Sequence, residues 1–479
     1  MNTHAIPAEV HMVARRIQRG GGRALLVGGS VIDLLCDRAA KDWDLEVFGL
    51  DFDQITALFP DHPVKEAGRA FGILKLNVDG VDVDINVPRT DNKVGKGHKD
   101  FVVEVDPTMS VREAARRRDF TINTLAMDIA TGEIVDEWGG LRDLSFGVLR
   151  ATDPDLFRED SLRVWRAVQL LPRKALSVDP HTMLLMRSMV RETEHLPPER
   201  LFAELEKLML KAEKPSIGVQ LASDLGLWEF MAPELSALAS TGQSPDHHPE
   251  GNVMVHSLLA LDAAAELRSF LPEEDRLVIM LAAFLHDIGK PLTTITPEMV
   301  ARDEAPKERL WTAWGHDQKG RAPADLFLSR FTGERGGKKL RQKVTCLVGE
   351  HMQPWNLMQG NASGGAWARL HRRLGACGLT LRHLASVCQC DSCATSADWK
   401  TRSLKTGSPD WNHKTSQLVL DRAAEFENAP PDPKVQGRDL IARKMKPGWH
   451  FGPILEKCLE LQDAHPKWSV QELIDGAMA

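Results

Sequence analysis

The sequence predicts an α+β chain whose strand-rich N-terminal part gives way to helices, and three patterns carry that expectation. VDVDINV (81–87) alternates apolar and polar residues at the period of a half-buried strand. Leu25 to Val27, Gly28-Gly29-Ser30 and Val31 to Cys36 read in turn as a strand end, a tight turn and a helix start. Beyond Pro154, stretches such as FREDSLRVWRAVQLL and LPPERLFAELEKLML change to the spacing of amphipathic helices. A length of 479 residues accommodates about three domains.

Residues 6 to 19 are expected as a helix ended by Gly20-Gly21-Gly22. The Gly28-Gly29-Ser30 turn that follows exposes backbone N–H groups able to cradle phosphate oxygens. A second strand then places Asp42 and Asp44 on one face and Trp43 and Leu45 on the other. Two carboxylates on one face can share divalent metal, the need of two-metal phosphoryl transfer. FDQITALF reads as a helix, and strands are expected at 70–78 and 81–87. Asp84, central on the polar face of the latter, is the choice for a third carboxylate, although such acids are by default only solvated. Residues 90–100, TDNKVGKGHKD, read as a mobile loop.

From 111 to 128 a helix start runs into Arg117-Arg118-Asp119 and then an apolar segment with Asn123. Adjacent arginines are commonly a solvated turn, but their forked donors also suit triphosphate oxygens. Residues 131–150 carry a strand, the turn Trp138-Gly139-Gly140 and another short strand. The next helix is expected to bring Glu159, Asp160, Arg163 and Arg166 into helical spacing. A boundary falls near 235, and after it come His256, the adjacent His286 and Asp287 behind an apolar run, His316, His351 and Asp398. Imidazoles and carboxylates together make metal sites, whereas a lone histidine on an apolar helix is usually packed core. Cys388, Cys390 and Cys393 read as reduced structural thiols, because no second cysteine pair completes a four-ligand site. A Pro-rich linker at 429–434 precedes a helical tail.

A formal charge of −7 argues against indiscriminate polyanion binding, while leaving room for a local basic strip that holds RNA. No apolar run has the length of a membrane span, and the first residues lack a signal-peptide pattern, so no membrane partner and a cytoplasmic location are expected.

Several segments occur together in one order: GGSVID with KDWDLE, VDVDINVPR, RRDFTINTLA, DEWGGLRDL, EDSLRVWRAVQL, PPERLFAELEKLML, HHPEGNVMVH, LHDIGK, SADWKTR and QGRDLIARKMKPGWHFG. Over roughly residues 22 to 460 the chain resembles bacterial tRNA nucleotidyltransferase, the class II CCA-adding enzyme, in the form with a C-terminal HD domain. The resemblance implies a polymerase-beta-like nucleotidyltransferase head at 1–150, a helical neck at 151–235, an HD phosphohydrolase-like domain at 236–402 and a helical tail at 403–479. It implies catalytic carboxylates at Asp42, Asp44 and Asp84, the first two carrying Mg2+. It also implies nucleotide contacts from Gly28, Gly29, Ser30, Arg117, Arg118, Asp119, Asn123 and Arg166, with Asp160 and Arg163 reading the base. In the HD domain, His256, His286, Asp287 and Asp398 would hold a transition metal such as Ni2+ or Mn2+, with His316 and His351 as further ligands.

The partners so implied are tRNA, ATP and CTP. Ile32 stands where the family usually has Arg, and Lys400-Thr401-Arg402 replaces the usual Gly-Arg after the last HD aspartate. The rival readings are a poly(A) polymerase of the same superfamily and an HD phosphohydrolase whose head serves only to bind RNA.

Overall fold

Alternation in strands Ile73–Val78 and Val81–Asn86 turns one side of each toward a core, and pairing with their neighbours builds a mixed sheet. The strands are β1 (Arg23–Val27), β2 (Trp43–Phe48), β3 (Val64–Gly68), β4 (Ile73–Val78) and β5 (Val81–Asn86), followed by β6 (Arg89–Lys93), β7 (Phe101–Val105), β8 (Ala126–Asp128) and β9 (Ile134–Val135). The sheet has seven strands in the order β3-β4-β5-β2-β1-β8-β9. Its β2–β5 pair is parallel and the others are antiparallel. Leu45, Val47, Val83 and Ile85 lie in the core, and helix Ala8–Arg19 adds Val10, Val13, Ala14 and Ile17 to the same cluster. The computed structural model describes residues 6–479 except 41, 63, 69–72, 94–100, 176, 333–336, 361–363, 396–413, 429–432 and 466.

The chain forms two compact units, Met1–Leu196 with Asp224–Gly226 and Pro197–Ser223 with Leu227–Ala479. Helix Leu162–Lys174 therefore belongs to the same compact unit as the sheet. Within the first unit the expected loop at 90–100 is corrected in part. β6 pairs with β7 from Arg89↔Val105 to Lys93↔Phe101, because ladder hydrogen bonds hold a strand that lacks an apolar period. Strand β3 was not foreseen. A helix, Gly140–Phe146, occupies the middle of 131–150, its first N–H groups donating to Asp136 at 2.7 and 3.0 Å.

The second unit is helical. Helix Glu273–Leu285 is followed by short helical turns at Lys290–Leu292 and Pro297–Ala301, and its residues Val278 to Leu285 are all buried. That burial marks the apolar run as a core helix. Helices Val253–Leu267, Lys338–Glu350 and Leu381–Thr395 pack against it, and helix His316–Phe331 meets it where Phe327 lies against Phe284. The tail helices Gly437–Ala442, Phe451–Ala464 and Val470–Met478 share a small core of Leu440, Cys458, Leu473 and Ile474.

One close approach sets how the second unit closes. A Cβ on Gly289 would lie 2.1 Å from the His316 carbonyl and 2.6 Å from the Gly320 nitrogen, so backbone meets backbone there. Gly289→Ala should lower the stability of this unit by about 3 kcal/mol, read as a lower midpoint in denaturant melts. An unchanged midpoint would show that the two segments can separate at little cost.

Candidate functional site

In the first unit the two-residue period of β2 runs on beyond the predicted pair. Asp42 precedes the strand and is exposed, Asp44 is half-buried, and Glu46 is buried on the same face, while Trp43 and Leu45 enter the core. Parallel register sets Asp44 opposite Asp84. The antiparallel register of β4 with β5 sets Lys75 opposite Asp84, and its Nζ donates to that carboxylate at 2.8 and 3.1 Å. Burial, and then the nearby Asp84 and Asp42 carboxylates, raise the Asp44 carboxyl above its ordinary value. This is the electrostatic mark of three acids drawn together.

The glycine turn lies against these acids. Gly28 has φ +77°, which a side chain would strain, and a Cβ there would sit 3.8 Å from Asp44 Oδ2. Helix Gly29–Leu35 begins at once, and the Ser30 hydroxyl donates to the Asp42 carbonyl. Ile32 is buried in that helix, and the neighbouring Asp33 pairs with Lys174.

Glu46 was missed by the sequence reading, although it continues the Asp42, Asp44 spacing. Its carboxylate accepts from Arg118 at 2.8 Å and from Arg117 at 3.3 Å, joining the arginine turn to the acidic strand. Arg118 also donates to the Asn123 carbonyl at 2.9 Å. Asp119 is buried, and it accepts from the Phe120 N–H, from Asn123 Nδ2 at 2.8 Å and from Arg166 Nε at 2.5 Å. Burial pushes its carboxyl up, but the Arg166 guanidinium and the Asn123 and Phe120 hydrogen bonds outweigh that and lower it.

Arg163 donates to the Leu156 carbonyl at 2.9 Å and to the Arg117 carbonyl at 2.6 Å, with its guanidinium 5.6 Å from the centre of the Phe157 ring. Asp160 corrects the sequence reading. The regular helix begins at Leu162, and Asp160 stands in the preceding turn, where its Oδ1 accepts from the Leu162 N–H at 3.1 Å. A short side-chain acceptor competes well for the unpaired N–H groups of a helix start, so the helix does not extend back through Asp160.

The second unit brings together His256, His286, Asp287, His316 and His351, as expected. Asp398 lies outside the described residues, and it is Asp391, between the cysteines of CQCDSC, that meets the histidines. His256 Nε2 is 3.0 Å from Asp391 Oδ1 and 3.2 Å from His286 Nε2, and His286 Nε2 is 3.6 Å from Asp391 Oδ1. Asp287 faces two ways. Its Oδ2 lies 3.4 Å from His286 and 3.7 Å from His256, and its Oδ1 lies 3.1 Å from His316 and 3.9 Å from His351. Lys290 Nζ is 2.6 Å from Asp287 Oδ2 and 2.6 Å from Gln243 Oε1.

Each imidazole is oriented through its other nitrogen. Nδ1 of His286, His316 and His351 faces the carbonyls of Ala283, Ala313 and Val348 at 2.7 to 2.8 Å, whereas that of His256 faces Glu250 Oε1 at 2.7 Å. All four Nε2 atoms are thereby turned toward Asp287, a donor set of imidazole nitrogen and carboxylate oxygen that fits a divalent transition metal. The histidines differ in surroundings. Burial works against a charge on His286, but Asp287 and Asp391 push it up to about 10; burial, His316 and His286 bring His351 down to about 4. The free Cys388 and Cys390 thiols are buried and pushed up by that burial, in keeping with structural thiols.

The Asp119 and Arg166 pair yields a test. A carboxyl lowered in the folded state adds stability that is present above its unfolded value, ordinarily 3.8, and is lost as pH falls through its folded value. Asp119→Asn should therefore be less stable than the parent protein at neutral pH, and the gap should narrow as pH drops below 3.8. Melts across that range check it; a gap that stays constant would mean Asp119 is not ionised in the fold.

Comparison with known proteins gives three family matches along the chain. Residues 24–150 match the poly A polymerase head domain, 175–238 the probable RNA and SrmB-binding site of polymerase A, and 253–375 the HD domain. The multifunctional CCA protein of Xanthomonas campestris pv. campestris (strain B100) is 37% identical over 332 residues, 68% of this chain and 74% of that protein. Among solved structures, a CCA-adding enzyme in complex with CTP is 16% identical with a TM-score of 0.61, covering 99% of this chain and 96% of that one. The Thermotoga maritima CCA-adding enzyme complexed with tRNA is 17% identical with a TM-score of 0.56, over 98% and 94% of the two chains. These last two likenesses are of fold.

Proposed function

The chain belongs to the family of CCA-adding tRNA nucleotidyltransferases that carry an HD domain, and on that premise we propose which of its residues perform the addition and which carry a second activity. The enzyme adds C, C and A to tRNA 3′ ends from CTP and ATP. The observation that carries the site assignment is the meeting of Asp42, Asp44 and Asp84 beside the Gly28 turn. Asp42 and Asp44 would hold Mg2+, with Asp84 completing the acidic face and Lys75 moderating its charge. When bound, such ions activate a hydroxyl and neutralise the triphosphate. Gly28, Gly29 and Ser30 would present backbone N–H groups to phosphate oxygens, while Arg117 and Arg118, anchored on Glu46, would contact the nucleotide. Asp119 acts as a positioning residue, holding Arg166 and Asn123 in place.

Base choice falls to Asp160 and Arg163. Cytosine and adenine each offer an exocyclic amino donor beside a ring-nitrogen acceptor, which suits a carboxylate acceptor beside a guanidinium donor. Uracil and guanine place a carbonyl where that amino group would be, and the carboxylate loses its hydrogen bond. The anchoring of Arg163 on two backbone carbonyls supports a fixed template of this kind, since selection by hydrogen bonding needs donors that do not relax.

In the HD unit, His256, His286, Asp287 and Asp391 would hold a divalent metal such as Ni2+ or Mn2+ and hydrolyse a small phosphoester or a cyclic phosphate end. The partners of the whole protein are then tRNA, ATP and CTP. The reading puts it in the cytoplasm, in line with the burial of its apolar helix in the core.

Two experiments test these assignments. Asp42→Asn and Asp44→Asn should each lower incorporation by about three orders of magnitude or more while preserving hydrolysis, and the double change His286→Ala, Asp287→Ala should do the reverse. The assay incubates tRNA lacking one, two or three terminal nucleotides with CTP and ATP and sequences the 3′ ends. Near-normal addition by both Asn variants would remove the acid pair from the reaction, and incorporation of ATP alone would favour the poly(A) polymerase reading. Asp160→Ala should admit UTP or GTP by roughly a hundredfold relative to CTP and ATP, a larger effect than on the rate of chemistry. Unchanged discrimination among the four nucleotides would leave Asp160 as the cap of its helix.

A further inference from the structure

We propose that Trp314 and Arg309 form a nucleoside shelf beside the HD histidines, on which the base of a nucleotide phosphoester stacks while its phosphate is hydrolysed. The inference rests on the hydrolase reading of this unit and deepens it, since it makes the substrate a nucleotide rather than any small phosphoester. Trp314 is 71% exposed, and it stands two residues before His316, whose Nδ1 faces the Ala313 carbonyl at 2.7 Å. Of the side chains around Asp287, Asp391 and His316 are 34% and 9% exposed, whereas His256, His286, Asp287 itself and His351 are at most 2% exposed. The cluster thus reaches solvent at Asp391 and, to a smaller extent, at His316, close in the chain to Trp314.

The two side chains make a half-filled stack. The Arg309 guanidinium lies 4.3 Å from the centre of the Trp314 ring, covering one face. A planar cation on one face of an indole holds the ring in place and leaves its other face for a second planar group. Nucleobases are such groups, and stacking on an aromatic side chain tolerates every base. Arg309 also has donors to spare. Among the described residues no carboxylate pairs with it, and its Nε is buried without an acceptor. An unspent guanidinium beside an exposed indole suits a ligand that carries both a base and a phosphate.

The segment is built as a fixed platform. The Trp311 N–H donates to the Ile295 carbonyl at 2.8 Å and the Ile295 N–H to the Thr312 carbonyl at 3.0 Å, which closes residues 295–312 into a loop. The Thr312 hydroxyl and N–H both donate to the Arg309 carbonyl, at 2.7 and 3.0 Å. Trp311 has φ +65°, a backbone conformation that bulky residues rarely take. It is wedged over Gly242, where a Cβ would come within 2.6 Å of its ring. The next residue, Gln243, accepts from Lys290, which in turn pairs with Asp287. One chain of contacts thereby ties the platform to the aspartate at the centre of the histidines. A shelf already held in place loses little further entropy when a ligand binds.

A pair of substrates given to the full-length protein with Mn2+ or Ni2+ tests this. Adenosine 2′,3′-cyclic phosphate and glycerol 1,2-cyclic phosphate offer the same cyclic phosphodiester with and without a nucleoside. In either, the oxygen of water forms a new bond to phosphorus and one ring ester oxygen leaves as a hydroxyl, taking up a proton. The parent protein should prefer the nucleotide. Trp314→Ala should lower that preference, as a ratio of kcat/KM, by about 10- to 100-fold, through KM rather than kcat, and Trp314→Phe should restore most of it. In metal-stripped protein the nucleotide should quench part of the tryptophan emission, and Trp314→Phe should remove that part. Equal loss on both substrates, an unchanged ratio, a parent without preference, or quenching that survives Trp314→Phe would overturn the shelf and leave the hydrolase standing. Hydrolysis of neither substrate by the parent would overturn both readings.

Discussion

The buried Asp119 carboxylate holds the nucleotidyltransferase unit in register with itself. It is charged inside protein, and a buried charge is tolerated only when cations and N–H groups surround it. Arg166 comes from the helix beyond Pro154, Asn123 from the turn after the arginines, and the Phe120 N–H from the backbone next door. The same segment is fastened to residues 150–152 by backbone hydrogen bonds from Thr121 to Arg150 and from Thr152 to Asp119. Because the arginines just before Asp119 rest on Glu46 of the acidic strand, ion pairs tie that strand through the arginine turn to Arg166. Loss of Asp119 would thus move groups that never touch it.

The HD unit solves a different problem, since its ligands come from five helices or helix ends and must converge on one carboxylate. Backbone carbonyls do most of that orientation. His286, His316 and His351 each accept a fixed tilt from a carbonyl three residues earlier, a contact available wherever a histidine sits near a helix end. His256, in the first turn of helix Val253–Leu267, is held instead by a glutamate from the preceding loop. The close backbone passage at Gly289 lets the turn after Asp287 lie against the start of the helix that carries His316.

Much of the site was legible in the chain because its chemistry is written in local spacing. DWD places two acids on one strand face, VDVDINV places a third on its neighbour, and HD after an apolar run announces a buried pair; each depends on periods of two or on adjacency. Family resemblance carried the order of these pieces and the neck and tail beyond them. What local spacing does not contain is which residue a ligand set draws from a helix packed far along the chain. The sequence reading chose Asp398 and passed over Asp391, which the packing of helix Leu381–Thr395 against Val253–Leu267 brings to 3.0 Å from His256.

The sequence by itself determined the α+β order, the acidic strand face, the arginine turn and the histidines of the HD unit, because period, turn chemistry and motif order are properties of neighbouring residues. Tertiary structure decided that Glu46 anchors both arginines, that Asp160 caps a helix from outside it, and that Asp287 is shared between two histidine pairs. Those outcomes depend on strand register and helix packing, which place side chains from distant segments within a hydrogen bond of each other and leave no trace in local pattern.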